Sequence, residues 1–138
     1  MGNFKVMQTI TVNIDWEENY GAYSEEVAGC AATHKTLEGV KKAYLEALEF
    51  HLEGLRADGD EIPSVLQTKY RLEFVLNVRA LLHYFDGLLT RSALSRVTGI
   101  NERQLGHYIT GHRKPRPEQR KKIVEGLHRI GKEITSVV

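Results

Sequence analysis

The sequence has one cysteine, no long apolar run, and no internal repeat or low-complexity tract. A lone cysteine, Cys30, can form neither an internal disulfide nor a zinc site by itself, and it fits a reducing cytoplasm. It sits in an alternating apolar stretch, where it reads as a small buried hydrophobe. A catalytic cysteine needs a base, and nothing in the sequence brings His34 or His51 to it. A membrane helix needs roughly 20 apolar residues in succession, and no run approaches that. The opening segment, MGNFKVMQTITV, lacks a basic stretch followed by a long apolar one, so no signal peptide is expected. Met1-Gly2 would suit N-myristoylation, but position 6 is Val rather than Ser or Thr. Together these absences predict a cytoplasmic protein with no membrane partner, and no metal or other cofactor is expected.

A chain of 138 residues accommodates one ordinary domain or two small ones. With 41% hydrophobic and 27% charged residues, the composition is that of a soluble globular protein rather than a disordered one. The net charge of +1 conceals a division along the chain. Residues 1–60 hold 5 basic and 11 acidic side chains, a net of −6; residues 61–87 are balanced; residues 88–138 hold 11 and 4, a net of +7. An acidic front and a basic back imply two functions on one chain, the back suited to a polyanion and the front to a basic partner.

Ile10, Val12 and Ile14 alternate with polar residues, and with Val6 they mark a half-buried strand over 3–14. Residues 15–19 are polar and turn-like; YGAYS at 20–24 reads as a second strand, Glu25-Glu26 as a turn and 27–33 as a third strand. Short links between them predict an antiparallel meander. Over 36–55 the spacing becomes helical: Leu37, Val40, Tyr44, Ala47, Leu48, His51, Leu52 and Leu55 recur at threes and fours. Thr36 is a candidate N-cap and Glu38 suits the positive end of the helix dipole. Gly59 and Pro63 break this helix. Tyr70, Leu72, Phe74 and Leu76 then alternate, as in a strand or the start of a helix; their aromatic and β-branched character favours the strand. From 78 onward four helical segments follow, VRALLHYFDGLL, TRSALSRVTG, NERQLGHYITG and PEQRKKIVEGLHRIGKEI.

The segment from Thr90 to Pro115, TRSALSRVTGINERQLGHYITGHRKP, carries the clearest functional pattern. Leu94 and Val97 form an apolar stripe on one short helix, and Gly99 stands where that helix must stop and turn. Ile100 is expected to bury in the corner, and Asn101 to cap the next helix. On that second helix Leu105 and Tyr108 or Ile109 would face inward, leaving Glu102, Arg103, Gln104 and His107 outward. Arg makes two-pronged contacts to guanine and Gln to adenine in the major groove, which such a helix enters N-terminus first. Arg113, Lys114, Arg116 and Arg120 would contact phosphates, which position the protein without reading sequence. The candidate DNA-binding residues are thus Arg91, Asn101, Arg103, Gln104, His107, Arg113, Lys114 and Arg116.

Leu94, Gly99, Asn101, Gly111 and Pro115 stand where the helix-turn-helix of phage-repressor and Cro-like regulators has its characteristic residues, and this segment resembles that motif. Ser95 replaces the usual alanine, a mild departure because serine is also small. Glu102 is less expected beside phosphates; it either accepts from cytosine or points away. The front half, from Ile10 to Val65, has its own run of markers: the strand Ile10 to Ile14, Gly29-Cys30, Thr36, EALEFHLEGL at 46–55, and Asp58-Gly59-Asp60-Glu61-Ile62-Pro63. In this order and spacing they resemble the HicB antitoxins, regulator partners of HicA toxins. That resemblance implies an α+β chain. Its residues 1–77 would form a partial ribonuclease-H-like β-β-β-α-β domain that binds a toxin. Its residues 78–138 would form an all-α helix-turn-helix domain. It further implies a HicA-like ribonuclease toxin and operator double-stranded DNA as partners, and a homodimer or higher homo-oligomer reading paired half-sites. Ile134 to Val138 is an apolar end that could pair subunits.

Two other readings compete. A stand-alone transcription regulator would use the front half to sense a small ligand. A nuclease of the ribonuclease-H type would need a carboxylate cluster for divalent metal. Asp15 lies near the end of the first strand, where such an enzyme places an acid, but no downstream acid pairs with it readily. Glu46, Glu49 and Glu53 fit an ordinary solvated helix face. The chain is accordingly expected not to be an enzyme.

Overall fold

A computed structural model describes residues 7–138. Residues 1–6, with Val6, the start of the expected first strand and the Met1-Gly2 pair, lie outside the described residues. The described chain is a mixed α+β structure with one four-stranded sheet and six helices, and it separates into two units, one ending at Asn77 and one running from Val78 to Val138.

The first unit begins with three strands, β1 (Gln8–Trp16), β2 (Tyr20–Ser24) and β3 (Val27–His34). β1 pairs antiparallel with β2, and β2 with β3, with a register irregularity at Tyr23/Ser24. β1 runs through Trp16, two residues beyond its apolar alternation. Asp15 and Trp16 still pair with Gly21 and Tyr20, and the Trp16 ring meets Tyr20 edge-on at 4.9 Å between centroids. Side chains alternate across a strand, so Ile10, Val12 and Ile14 share one buried face with Tyr20 and Ala22.

Helix α1 (Leu37–Asp58) covers that face. Thr36 caps it, its hydroxyl accepting from the Gly39 N–H at 3.0 Å, and Gly59 ends it. Val40, Tyr44, Leu48 and Leu52 recur at four-residue intervals and are buried. After α1 the chain makes one short helical turn, α2 (Ser64–Gln67), which the sequence pattern does not announce. Strand β4 (Tyr70–Leu76) then pairs in parallel with β1, giving the order β3-β2-β1-β4. The alternation at 70–76 is therefore that of a strand. Phe74 on β4 meets Tyr44 edge-on, with 6.5 Å between ring centroids.

The second unit is all helical: α3 (Val78–Asp86), α4 (Arg91–Thr98), α5 (Glu102–Ile109) and α6 (Pro117–Thr135). Its core joins Val78 and Leu82 of α3, Leu94 of α4, Ile100 of the turn that follows, Leu105 and Tyr108 of α5, and Ile123 of α6. α6 crosses α4 closely at Gly126. A Cβ there would stand 2.9 Å from the Val97 carbonyl oxygen, so the absence of a side chain sets the helix separation.

Candidate nucleic-acid interface

The corner between α4 and α5 spans Thr98 to Asn101, and each residue in it has a distinct task. Thr98, buried at the end of α4, donates its hydroxyl to the Leu94 carbonyl at 2.7 Å. The same oxygen accepts from the Ile100 N–H at 3.2 Å, closing a local network over the corner. Gly99 takes a left-handed conformation with φ of 74°, which a residue bearing a Cβ adopts only at a cost. Ile100 drops into the core, 4% exposed. Asn101 then caps α5, its Oδ1 accepting from the Gln104 N–H at 2.8 Å. Thr90 caps α4 in the same way through Ala93 N–H at 3.0 Å. These bonds fix the angle between two short helices that are individually too short to be stable.

Leu105 and Tyr108 bury the inner side of α5, and Ile109 is half-buried against the same core. Glu102 and Arg103 are exposed at the start of the helix. Glu102 lies in the first turn, where a carboxylate favours the helix dipole. Gln104 and His107 do not face freely outward. Gln104 is half-buried, and its Nε2 donates to the Tyr108 hydroxyl at 2.9 Å, four residues along the same helix. A two-pronged contact from Gln104 to a base would have to give up that bond. The cause is local: residues four apart lie one above the other on a helix, so a long amide reaches a tyrosine oxygen at that spacing.

His107 is half-buried, with its Nδ1 shielded from solvent and without a hydrogen-bond partner. Its ring meets that of His112 at 5.0 Å between centroids. Loss of hydration pushes the His107 pKa below its ordinary value, and the positive charges of His112, Arg113 and Arg103 push the same way. Arg103 and Arg113 therefore lie near the His107–His112 ring pair, and their charge gives this part of α5 a positive field that disfavours a proton on His107. The Arg113 N–H donates to the His107 carbonyl at 3.1 Å, folding the segment after α5 back onto it. Lys114 and Arg116 continue this segment and are exposed, and Arg116 occupies the N-cap position of α6. Arg91 is exposed on the first turn of α4, and its guanidinium reaches across to α5, 3.1 Å from where a Cβ on Gly106 would stand.

Sequence reasoning misses Arg79 and His112. Arg79, on α3, donates from Nε to the Ile109 carbonyl at 3.2 Å and lies against Gly111. A cation at the carbonyl end of α5 satisfies an otherwise open acceptor and complements the dipole. Only the fold brings residues 79 and 109 together. The position of His112 five residues beyond His107 is the one signal that could have pointed to a ring pair across the end of α5.

In the first unit, Asp15 is exposed and its carboxylate lies over Gly21 on the neighbouring strand. Glu46, Glu49 and Glu53 are exposed on α1. Among the described residues no group of three His, Cys, Asp or Glu side chains is placed to hold a metal ion, and no helix is long and apolar enough to cross a membrane. Cys30 is buried beside Tyr44, and burial pushes the pKa of both upward. The Tyr44 hydroxyl is fully buried without a hydrogen bond of normal geometry. The chain matches no protein-family model, and no curated protein matches it.

Proposed function

We propose that the second unit is a helix-turn-helix module that binds operator DNA. The observation that carries this reading is the capped pair α4–α5, joined by the Thr98–Asn101 corner, with the charges of Arg103 and Arg113 beside the His107–His112 ring pair. α5 would enter the major groove by its N-terminal turn, with Arg103 reading a base edge. Arg91, Lys114 and Arg116 would meet phosphates, as would the backbone N–H groups at the start of α5. Gln104 contributes to base reading only if it releases Tyr108.

The whole chain then acts as an antitoxin and autorepressor of the HicA–HicB kind. Its first unit, a partial ribonuclease-H-like domain in this reading, would bind and block a small basic ribonuclease toxin. Two features support this: the resemblance of residues 10–65 to the HicB antitoxins, and the net charge of −6 over residues 1–60. An acidic surface steers a basic partner and discriminates against others. Neither feature assigns a catalytic role to the chain.

Two measurements test the proposal. Fluorescence anisotropy with the DNA upstream of the chain's own gene should give salt-dependent, sequence-selective binding. Co-expression with the adjacent reading frame should yield a complex that loses ribonuclease activity. Binding of equal strength to unrelated DNA would refute the operator assignment, and an unbound, active neighbour would refute the antitoxin one.

A second reading is favoured by a specific feature of the first unit. A cleft of about 430 Å³ opens between β3 and α1, lined by Gly29, Cys30, Ala47, Phe50, His51 and Asp58 among others. A stand-alone regulator would use such a cleft to sense a small ligand. A ligand-dependent change in operator affinity, in the absence of any toxin, would select this reading.

A further inference from the structure

Helix α1 carries a second stripe besides the one it buries. Ala43, Ala47, Phe50, Gly54 and Ala57 recur at spacings of four, three, four and three, the interval of a helix–helix seam over two heptads. None of them belongs to the row Val40, Tyr44, Leu48 and Leu52 that packs on the sheet. Phe50 is 79% exposed, and Gly54 and Ala57 are exposed beside it. The four residues around the phenyl ring carry a methyl group or less, which leaves this side of the helix open to close approach by another. Gly54 weakens the helix that holds it, yet a Cβ there would meet nothing within 4 Å, so no contact within the chain requires it.

The stripe forms one wall of the cleft of about 430 Å³ between α1 and β3. Ala47, Phe50 and Gly54 line it from the helix, and Gly29, Cys30 and Ala31 from the strand. β3 stands at the end of the sheet order, so its outer side has no strand neighbour. Small ligands are held in concave sites that cover most of their surface. Here the largest wall, Phe50, stands mostly in solvent, which suits a macromolecule better.

Charge points to what covers this face. In the heptad frame the positions preceding Ala47 and Gly54 are Glu46 and Glu53, both exposed, and Asp58 follows Ala57. Lys42 and Arg56 lie further round the helix by the same periodicity. Side chains at such flanking positions select the partner of a helix seam. A second copy packed antiparallel would set Glu46 and Glu53 against their own counterparts, and one packed parallel would set Glu53 against Asp58. Acid meets acid either way, whereas a basic helix would meet complementary charge along the whole seam.

We propose that this face of α1 receives an amphipathic helix of a basic partner protein, with Phe50 as the anchor and Lys or Arg side chains against Glu46 and Glu53. The identification of that partner with the toxin rests on the antitoxin reading above; the surface and its chemistry do not. From Ala43 to Ala57 the seam is about 21 Å long, enough for some four turns of a docked helix. Phe50 would enter between side chains of that helix, as buried aromatic anchors carry much of an interface's affinity. The carboxylates would set its direction and speed its approach. Helix-in-groove recognition of this kind would use β3 as the second wall.

Isothermal titration of the full chain with the product of the adjacent reading frame tests this. Phe50→Ala should weaken binding at least about thirtyfold. Glu46→Lys combined with Glu53→Lys should weaken it at least about tenfold. Gly54→Leu should do the same although the free chain has room for the side chain, and far-UV circular dichroism verifies that each variant folds. Leu45→Ser, on the other side of α1, should leave binding unchanged. A neighbour that binds the wild type and the Phe50 and Gly54 variants alike overturns this interface and leaves the antitoxin reading standing. An effect of Leu45→Ser equal to that of Phe50→Ala also overturns it. A neighbour that does not bind at all overturns the antitoxin reading, and a designed peptide then decides on the surface. The peptide is a helix of about 21 residues with Leu at the seam positions and Lys beside them. In an NMR titration to about 1 mM it should shift the amides of residues 43–57, and Phe50→Ala should abolish the shifts. Absence of shifts there overturns the proposal.

Discussion

Gly126→Ala adds one methyl group where α6 crosses α4, and the structure allows its effect to be worked out. The new Cβ would stand 2.9 Å from the Val97 carbonyl oxygen, 3.1 Å from Thr98 Cγ2 and 3.2 Å from the Val97 carbonyl carbon. Two of these three neighbours are backbone and cannot swing aside. Restoring ordinary contact requires α6 to withdraw from α4 by roughly 0.5 Å, loosening Ile123 and Leu94 in the core between them; overpacking of this kind costs about 1–3 kcal/mol. Alanine recovers up to about 1 kcal/mol of helix propensity. The net loss should be about 1 kcal/mol. Gly126→Val has less propensity to recover and more volume to place, and should lose about 3 kcal/mol. Gly54→Ala in α1, where a Cβ meets nothing within 4 Å, is the control and should gain about 0.5–1 kcal/mol. Urea denaturation separates the two units, because the one tryptophan, Trp16, lies in the first and reports on it by fluorescence. Circular dichroism at the helical band also follows the second. If Gly126→Ala stabilises the helical transition as much as Gly54→Ala stabilises its own, the close crossing at Val97 is wrong.

Arg103→Ala should cost about 1–3 kcal/mol of operator affinity and relax the choice of base at one position, measured by anisotropy against operator variants. Lys114→Ala should weaken binding to all sequences alike and lower the salt slope by about one unit. Asn101→Ala removes the cap on α5 and should cost about 1 kcal/mol of second-unit stability in urea, whereas Asn101→Asp should retain most of it. His107 has its folded-state pKa lowered, so the unfolded chain takes up the proton first. The second unit should lose stability as pH falls through the ordinary histidine value of about 6.5, until the folded protein also protonates. His107→Gln should flatten that part of the pH dependence, and an unchanged slope would refute the shielding of Nδ1.

Features of the chain that rest on local rules are legible in the sequence itself. The strand alternation at Ile10–Ile14, the four-residue interval from Val40 to Leu52 and the Thr36 cap depend on near neighbours, and each reappears in the folded unit. Gly99, Ile100 and Asn101 occupy the corner in the order their chemistry dictates. Departures arise where the third dimension decides. Trp16 prolongs β1 because it finds Tyr20 across the strand pair. Gln104 turns from solvent because Tyr108 lies one turn along, and Thr98, which the apolar pattern does not single out, supplies the buried hydroxyl of the corner. Arg79 reaches α5 only because α3 packs beside it. In the proposed operator reading, the side chains of α5 are not equally available to a base edge. Arg103 is exposed and free of a protein partner bond that it must break, whereas Gln104 must surrender a 2.9 Å bond and His107 must gain a proton against local positive charge. In the proposed complex phosphates would supply the opposite field and favour protonated His107. In the operator complex Arg103 would then set base preference with little help from Gln104, while His107 and Arg113 set affinity.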